Sequence, residues 1–180
     1  MRLFIIAMSL VFCTSVAARE LTDFETKSLE ARLEVFSAAI KENDIEMVMR
    51  MLPPRFLEYL SEVSGVSVKA IIASAADQGH EVMGQVEISE FSMGLGEFNA
   101  IDVSNFGTNN VVYGLVQMSF VLDMLATRSR HDSEVLAIND EGVWYLLRIA
   151  SSEQLGLLQL VYPFFAGLPL PKNSSVEIPE

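Results

Sequence analysis

The hydrophobic period of this 180-residue chain changes once, near Gly84, and that change limits the fold more than any other feature. Before it, apolar residues recur at helical intervals; after it, they alternate. Thr22-Asp23-Phe24-Glu25 has the spacing of a capping box, and Leu29, Leu33, Phe36 and Ile40 follow on one face, predicting an amphipathic helix to near Lys41. Asn43 or Asp44 caps a second, short helix through Ile45, Val48, Met49 and Leu52, which Pro53-Pro54 must stop because a proline disfavours helical geometry in the residue before it. Arg55 to Ser64 restarts the helix, with Gly65 as its C-terminal cap, and a further helix runs from Ser67 to about Met83. Gly79 weakens that last helix by up to ~1 kcal/mol relative to alanine.

Beyond Gly84, Val86, Ile88 and Phe91 mark a first strand, and Ala100 to Val103 a second that leads into the turn-rich residues 105–110. Val111 to Leu122 is the strongest strand: Val112, Val116, Met118, Phe120 and Leu122 make one face apolar, while Tyr113, Leu115, Gln117 and Ser119 make the other mixed. Thr127 to Ile138 and Val143 to Ile149 form a hairpin about the turn Asn139-Asp140-Glu141-Gly142. Within it, Arg128 to Glu134 is polar on both faces and reads as an exposed or edge segment. Ser152 caps a last helix that Pro163 ends, and the proline-rich residues 167–180 read as a flexible tail.

Met1-Arg2, the apolar run Leu3 to Phe12 and the small residues Ser15-Val16-Ala17-Ala18 have the three parts of a secretory signal, and the apolar run falls short of the ~20 residues of a membrane span. Export to a periplasmic or extracellular space is therefore expected, with residues 1–18 as signal peptide, 19–166 as one domain and 167–180 as the tail. Cys13 is the only cysteine, so cleavage after Ala17 or Ala18 removes disulfides, thiolate metal sites and cysteine nucleophiles together. Phe12 occupies the place where a lipidation signal requires a small residue.

The 12 basic and 24 acidic residues give a net charge of −12, and loss of Arg2 with the signal makes the balance 11 against 24, or −13. A nucleic-acid partner needs a basic footprint that this chain lacks, and anionic membrane surfaces are disfavoured for the same reason. The partners left are a small apolar ligand or another protein, a second copy of the chain included.

Helices followed by antiparallel strands and the hairpin Leu136 to Ile149, with its acidic-glycine turn and Trp144-Tyr145, resemble the nuclear-transport-factor-2-like superfamily, which also holds ketosteroid isomerases and polyketide cyclases. The resemblance implies an α+β fold in which N-terminal helices pack on a curved, cone-like antiparallel sheet, here with an additional C-terminal helix. It implies no single chemistry, because that fold serves enzymes, carriers and interaction domains. An enzyme in this frame needs a desolvated carboxyl and a donor for a developing enolate. Asp123, among Val121, Leu122, Met124 and Leu125, is the candidate base and Tyr113 the candidate donor, but ten residues of straight strand separate them by ~33 Å. Gln117, Ser119, Trp144 and Arg148 are the candidate pocket residues, with Arg148 as an anion clamp or a structural ion pair.

Neither His80 nor His131 belongs to a spacing that aims two strong ligands at one metal, and no metal or cofactor is expected. Gly65-Val66-Ser67-Val68-Lys69 lacks the second glycine of a nucleophile elbow, and Gly94-Leu95-Gly96 lacks the rest of a nucleotide loop. Asn173-Ser174-Ser175 matches a glycosylation sequon. The reading is an exported binding or interaction domain without chemistry; its alternative is an isomerase, cyclase or dehydratase using general acid–base catalysis in the cone.

Overall fold

The computed structural model describes residues 18–104, 110–124 and 127–179. The expected signal segment of residues 1–17 and the turn-rich residues 105–109 lie outside the described residues. The fold is α+β: N-terminal helices precede a curved antiparallel sheet of seven strands, and a further helix follows it. No helix among the described residues is long and apolar enough to cross a membrane.

Local signals place the helices. In α1 (Asp23–Lys41), the Glu25 N–H donates to the Thr22 hydroxyl while the Thr22 N–H donates to the Glu25 carboxylate, which completes the capping box. Asp44 caps α2 (Ile45–Met49), and α3 (Pro54–Ser64) starts directly after Pro53. Gly65 ends α3 with φ of 69°, a left-handed conformation that glycine adopts without steric cost. Ser67 caps α4 (Val68–Met83). The glycine inside α4 has a packing reason: a Cβ on Gly79 would lie 2.7 Å from Ile45 Cγ2, so its absence lets α4 close on α2. Ser151, not Ser152, caps α5 (Ser152–Val161): its hydroxyl accepts from the Gln154 N–H at 3.2 Å, and the Gln154 side chain in turn accepts from the Ala150 N–H at 2.7 Å. Pro163 then opens a short 3₁₀ turn over Pro163–Gly167.

The strands are β1 (Ala18–Arg19), β2 (Glu87–Gly94), β3 (Ala100–Ser104), β4 (Asn110–Met124), β5 (Thr127–Asp140), β6 (Val143–Arg148) and β7 (Asn173–Glu177). β4 and β5 pair from Val112↔Asn139 to Met124↔Thr127 and form a long ribbon. β3 and β6 flank its Tyr113 end, with β1 outside β3, while β2 and β7 flank its Phe120 end. Glu141 and Gly142, with φ of 55° and 82°, make the tight turn between β5 and β6 that the sequence predicts.

Two expectations about the C-terminal half are corrected. Residues 173–177 of the segment read as a tail are a strand, pinned where Asn173 Nδ2 donates to the carbonyls of Ile149 and Pro171, and where the Lys172 N–H donates to the Glu134 carboxylate. Those donations also occupy the amide nitrogen that a sugar would need at the sequon. The polar stretch Arg128 to Glu134 is no edge, since β4 lies on one side of it and β7 on the other.

Alternation along β4 sends its residues to opposite faces, and helices cover both faces near Tyr113. On one face Val112, Val116 and Met118, with Val135, Ala137, Trp144 and Leu146, lie under Leu29 and Leu33 of α1. On the other, Val111 and Tyr113, with Leu136, Ile138, Leu147 and Ile149, lie under Phe56 of α3, Leu158 of α5, Tyr162 and Phe165. The mixed face of the sequence is therefore divided along its length: Val111 and Tyr113 are covered, Gln117 and Asp123 are not.

Arg19 ties this assembly at its start. Its guanidinium donates to Glu25 at 2.7 and 2.8 Å and to Asp102 at 2.5 and 3.0 Å, joining β1, α1 and β3. Hydrogen bonds from Arg19, with help from Thr22, hold the Glu25 carboxyl at about 2 instead of the usual 4.5. Because the folded value is the lower one, this stabilisation is complete above the unfolded pKa and is lost as pH falls from 4.5 through about 2. Urea unfolding across that range should show about 1–3 kcal/mol lost with this origin, and Glu25→Gln should flatten the slope.

Candidate functional site

The fold disperses the residues that the sequence nominated. Asp123 sits near the Met124–Thr127 end of the β4–β5 ribbon with its side chain 36% exposed, 3.3 Å from the Arg128 guanidinium and accepting from the Ser89 hydroxyl at 3.3 Å. A carboxylate so solvated and paired is not the desolvated base that enolate chemistry needs. Tyr113 lies on the same face but in the core, edge-on to Phe165 at 4.7 Å, where burial raises its phenol. The pocket candidates also separate. Gln117 and Ser119 pair with Glu134 and Asp132, whereas Trp144 and Arg148 pair with Asn139 and Val135, which places the two couples on opposite faces of the sheet. Trp144 is buried and donates to the Ser28 hydroxyl at 2.9 Å; Arg148 donates to Ser133 at 3.4 Å from an exposed position.

The histidines have structural partners. His80 lies 3.0 Å from the Asn43 carbonyl, and His131 stacks on Phe120 at 5.0 Å with Ser129 at 2.9 Å from its Nε2. No group of three His, Cys, Asp or Glu among the described residues could hold a metal ion.

Two arrangements were not nominated. One is a buried polar cluster where α3, the β5–β6 turn and α5 meet. Asp140 is nearly buried, with Oδ2 3.4 Å from the Arg55 guanidinium, while its Oδ1 and the Tyr162 hydroxyl are both buried without a hydrogen-bond partner. Burial first, and the Asp140 charge second, push the Tyr162 phenol well above its ordinary value. The cluster clamps α3 to the hairpin, and the sequence offered only the turn residue Asp140 as a sign of it.

The other arrangement is a groove of about 690 Å³ between α1 and the end of β2. Buried Leu33 and half-buried Met93 and Leu95 belong to the core beneath α1 and form the apolar lining. Ser37, Ala38 and Gly94 are small enough to leave the space open, and Glu30, Glu34, Lys41 and Glu42 stand at its sides. On a helix, residues 30, 34, 38 and 41 share one face, so in sequence this stripe reads as an ordinary solvated surface. Only the approach of β2 turns it into a wall. A smaller polar depression of about 390 Å³ lies across the sheet beside Gln117, Glu134 and Lys172.

No family model, curated protein or solved structure matches the chain, so its site is defined by its own residues alone.

Proposed function

We propose that this protein is an exported domain that binds a ligand or partner in the groove between α1 and β2 and performs no chemistry there. The observation that carries the reading is the groove's lining: Leu33, Met93 and Leu95 extend the hydrophobic core to an opening that small residues keep clear. An apolar floor with a few charged side groups is the usual composition of a recognition site. The side groups there are carboxylates and one amine on the exposed faces of a helix and its cap, with no buried acid–base pair among them. Kinship with the nuclear-transport-factor-2-like superfamily is part of the proposal, supported by helices that precede a curved antiparallel sheet and by the Asn139–Gly142 hairpin turn. Export rests on Met1 to Ala18, and cleavage after Ala17 or Ala18 leaves the Arg19 tie in the mature chain.

Amide and methyl NMR shifts, followed while neutral apolar fragments are titrated in, test the binding reading. Leu33, Ser37, Ala38 and Met93 to Leu95 are expected to move together; if neither these fragments nor an amphipathic peptide moves them, the reading is overturned. Expression of the full chain in a Gram-negative host tests export: a periplasmic product shortened by residues 1–17 or 1–18 is expected, and an unshortened cytoplasmic product overturns it.

A further inference from the structure

We infer that the occupant of the α1–β2 groove is a cationic amphipathic segment of a partner polypeptide, lysine- or arginine-bearing beside apolar side chains. This rests on the groove being the binding site. Three carboxylates, Glu30, Glu34 and Glu42, stand around it against one ammonium, Lys41, a balance of −3 + 1 = −2. None of these four side chains takes part in an ion pair among the described residues. Their charges are therefore uncommitted, in contrast to Glu25, Glu90, Asp123 and Glu134, each of which has a basic partner.

Glu30 and Glu34 are also one turn apart, and like charges at that spacing repel. A cation placed between them relieves the repulsion; an anion or a neutral ligand leaves it in place. The whole chain, at −12, adds a long-range attraction for a basic partner and a repulsion for an acidic one.

The shape favours a polypeptide. From Glu30 to Glu42 the α1 wall runs about 18 Å at ~1.5 Å per residue, the length of a three-turn helix laid alongside it. An incoming helix of that length sets apolar residues at helical spacing on Leu33, Met93 and Leu95 and carries its basic residues to the glutamates, the recognition mode in which an amphipathic helix lies in a groove. Ala38 and Ser37, midway along the wall, allow the two helices to approach closely.

The test uses the mature protein and a fluorescein-labelled amphipathic peptide of leucine and lysine, about 14 residues long to span the wall. A twin peptide with glutamate for lysine serves as comparison. The lysine peptide is expected to bind and to weaken with added salt, and the glutamate peptide to show no binding. The double variant Glu30→Gln/Glu34→Gln is expected to bind about fivefold or more weakly, and Ala38→Trp to block the site. The matched variant Glu62→Gln/Glu81→Gln removes the same charge from exposed positions on α3 and α4 and is expected to change affinity less than about twofold. Equal losses in the two double variants overturn the proposal, since net charge alone would then explain binding. Shifts at Met93 to Leu95 with neutral fragments but not with the lysine peptide overturn the occupant and leave the groove reading standing; shifts with neither overturn both.

Discussion

Phe165→Ala will lower the unfolding free energy by about 3–5 kcal/mol in urea denaturation followed by circular dichroism. Phe165 is fully buried just beyond the helix that Pro163 ends, with ring centroids 4.7 Å from Tyr113 and 4.5 Å from Phe164. Truncation removes a whole ring from the core under α5, and neither the turn backbone nor β4 can collapse far enough to fill the space. Gln159 donates to the Phe165 carbonyl at 3.1 Å, so the backbone there is held as well. A loss below about 1 kcal/mol would mean that the 3₁₀ turn is not seated on the sheet and that the domain ends at α5.

Trp144→Ala will cost about 3–5 kcal/mol on the opposite face, by the same measurement. The indole is 2% exposed, meets the Phe98 ring edge-on at 6.1 Å, and donates to the Ser28 hydroxyl of α1. Alanine removes both the packing that seats α1 on the sheet and the hydrogen bond that the Trp144 indole donates into that helix. Trp144→Phe separates the two, because it keeps most of the ring and loses only the donor, for which about 1–2 kcal/mol is expected. The result also bears on the groove, because Trp144 and Leu33 belong to one cluster and a loosened α1 moves the groove wall.

Helix ends were legible because their causes are local. The Thr22 capping box, the left-handed Gly65 and the Ser67 cap each act within a few residues, and each lies where its residues predict, whereas the second helix ends at Met49, short of the Leu52 at which Pro53-Pro54 was expected to stop it. Strand identity was legible for the same kind of reason, since alternation is a property of neighbouring residues. Which face of a strand is covered is not such a property. Tyr113 and Asp123 have the same parity on β4, yet one is buried under α5 and the other is solvated, because α5 returns over only half the strand. β7 shows the limit most plainly: Asn173–Glu177 is exposed along its length and carries no hydrophobic signal, and it is a strand because β5 offers an unpaired edge there.

The candidate site follows the same division. Leu33 was legible as a core residue of α1, and Glu30 and Glu34 as its solvated face, but the groove requires Met93 and Leu95 to arrive some sixty residues later in the chain. What the chain's sequence determined by itself is the existence of helices α1 to α5 and of strands β2 to β6, the export segment as an expectation, and the acidity that selects among partners, all of which depend on composition or on interactions within a turn or two. What only the tertiary structure decided is which carboxylates are paired and which are free, which aromatic rings are core, and where apolar surface remains open, because each depends on distances between residues far apart in the chain.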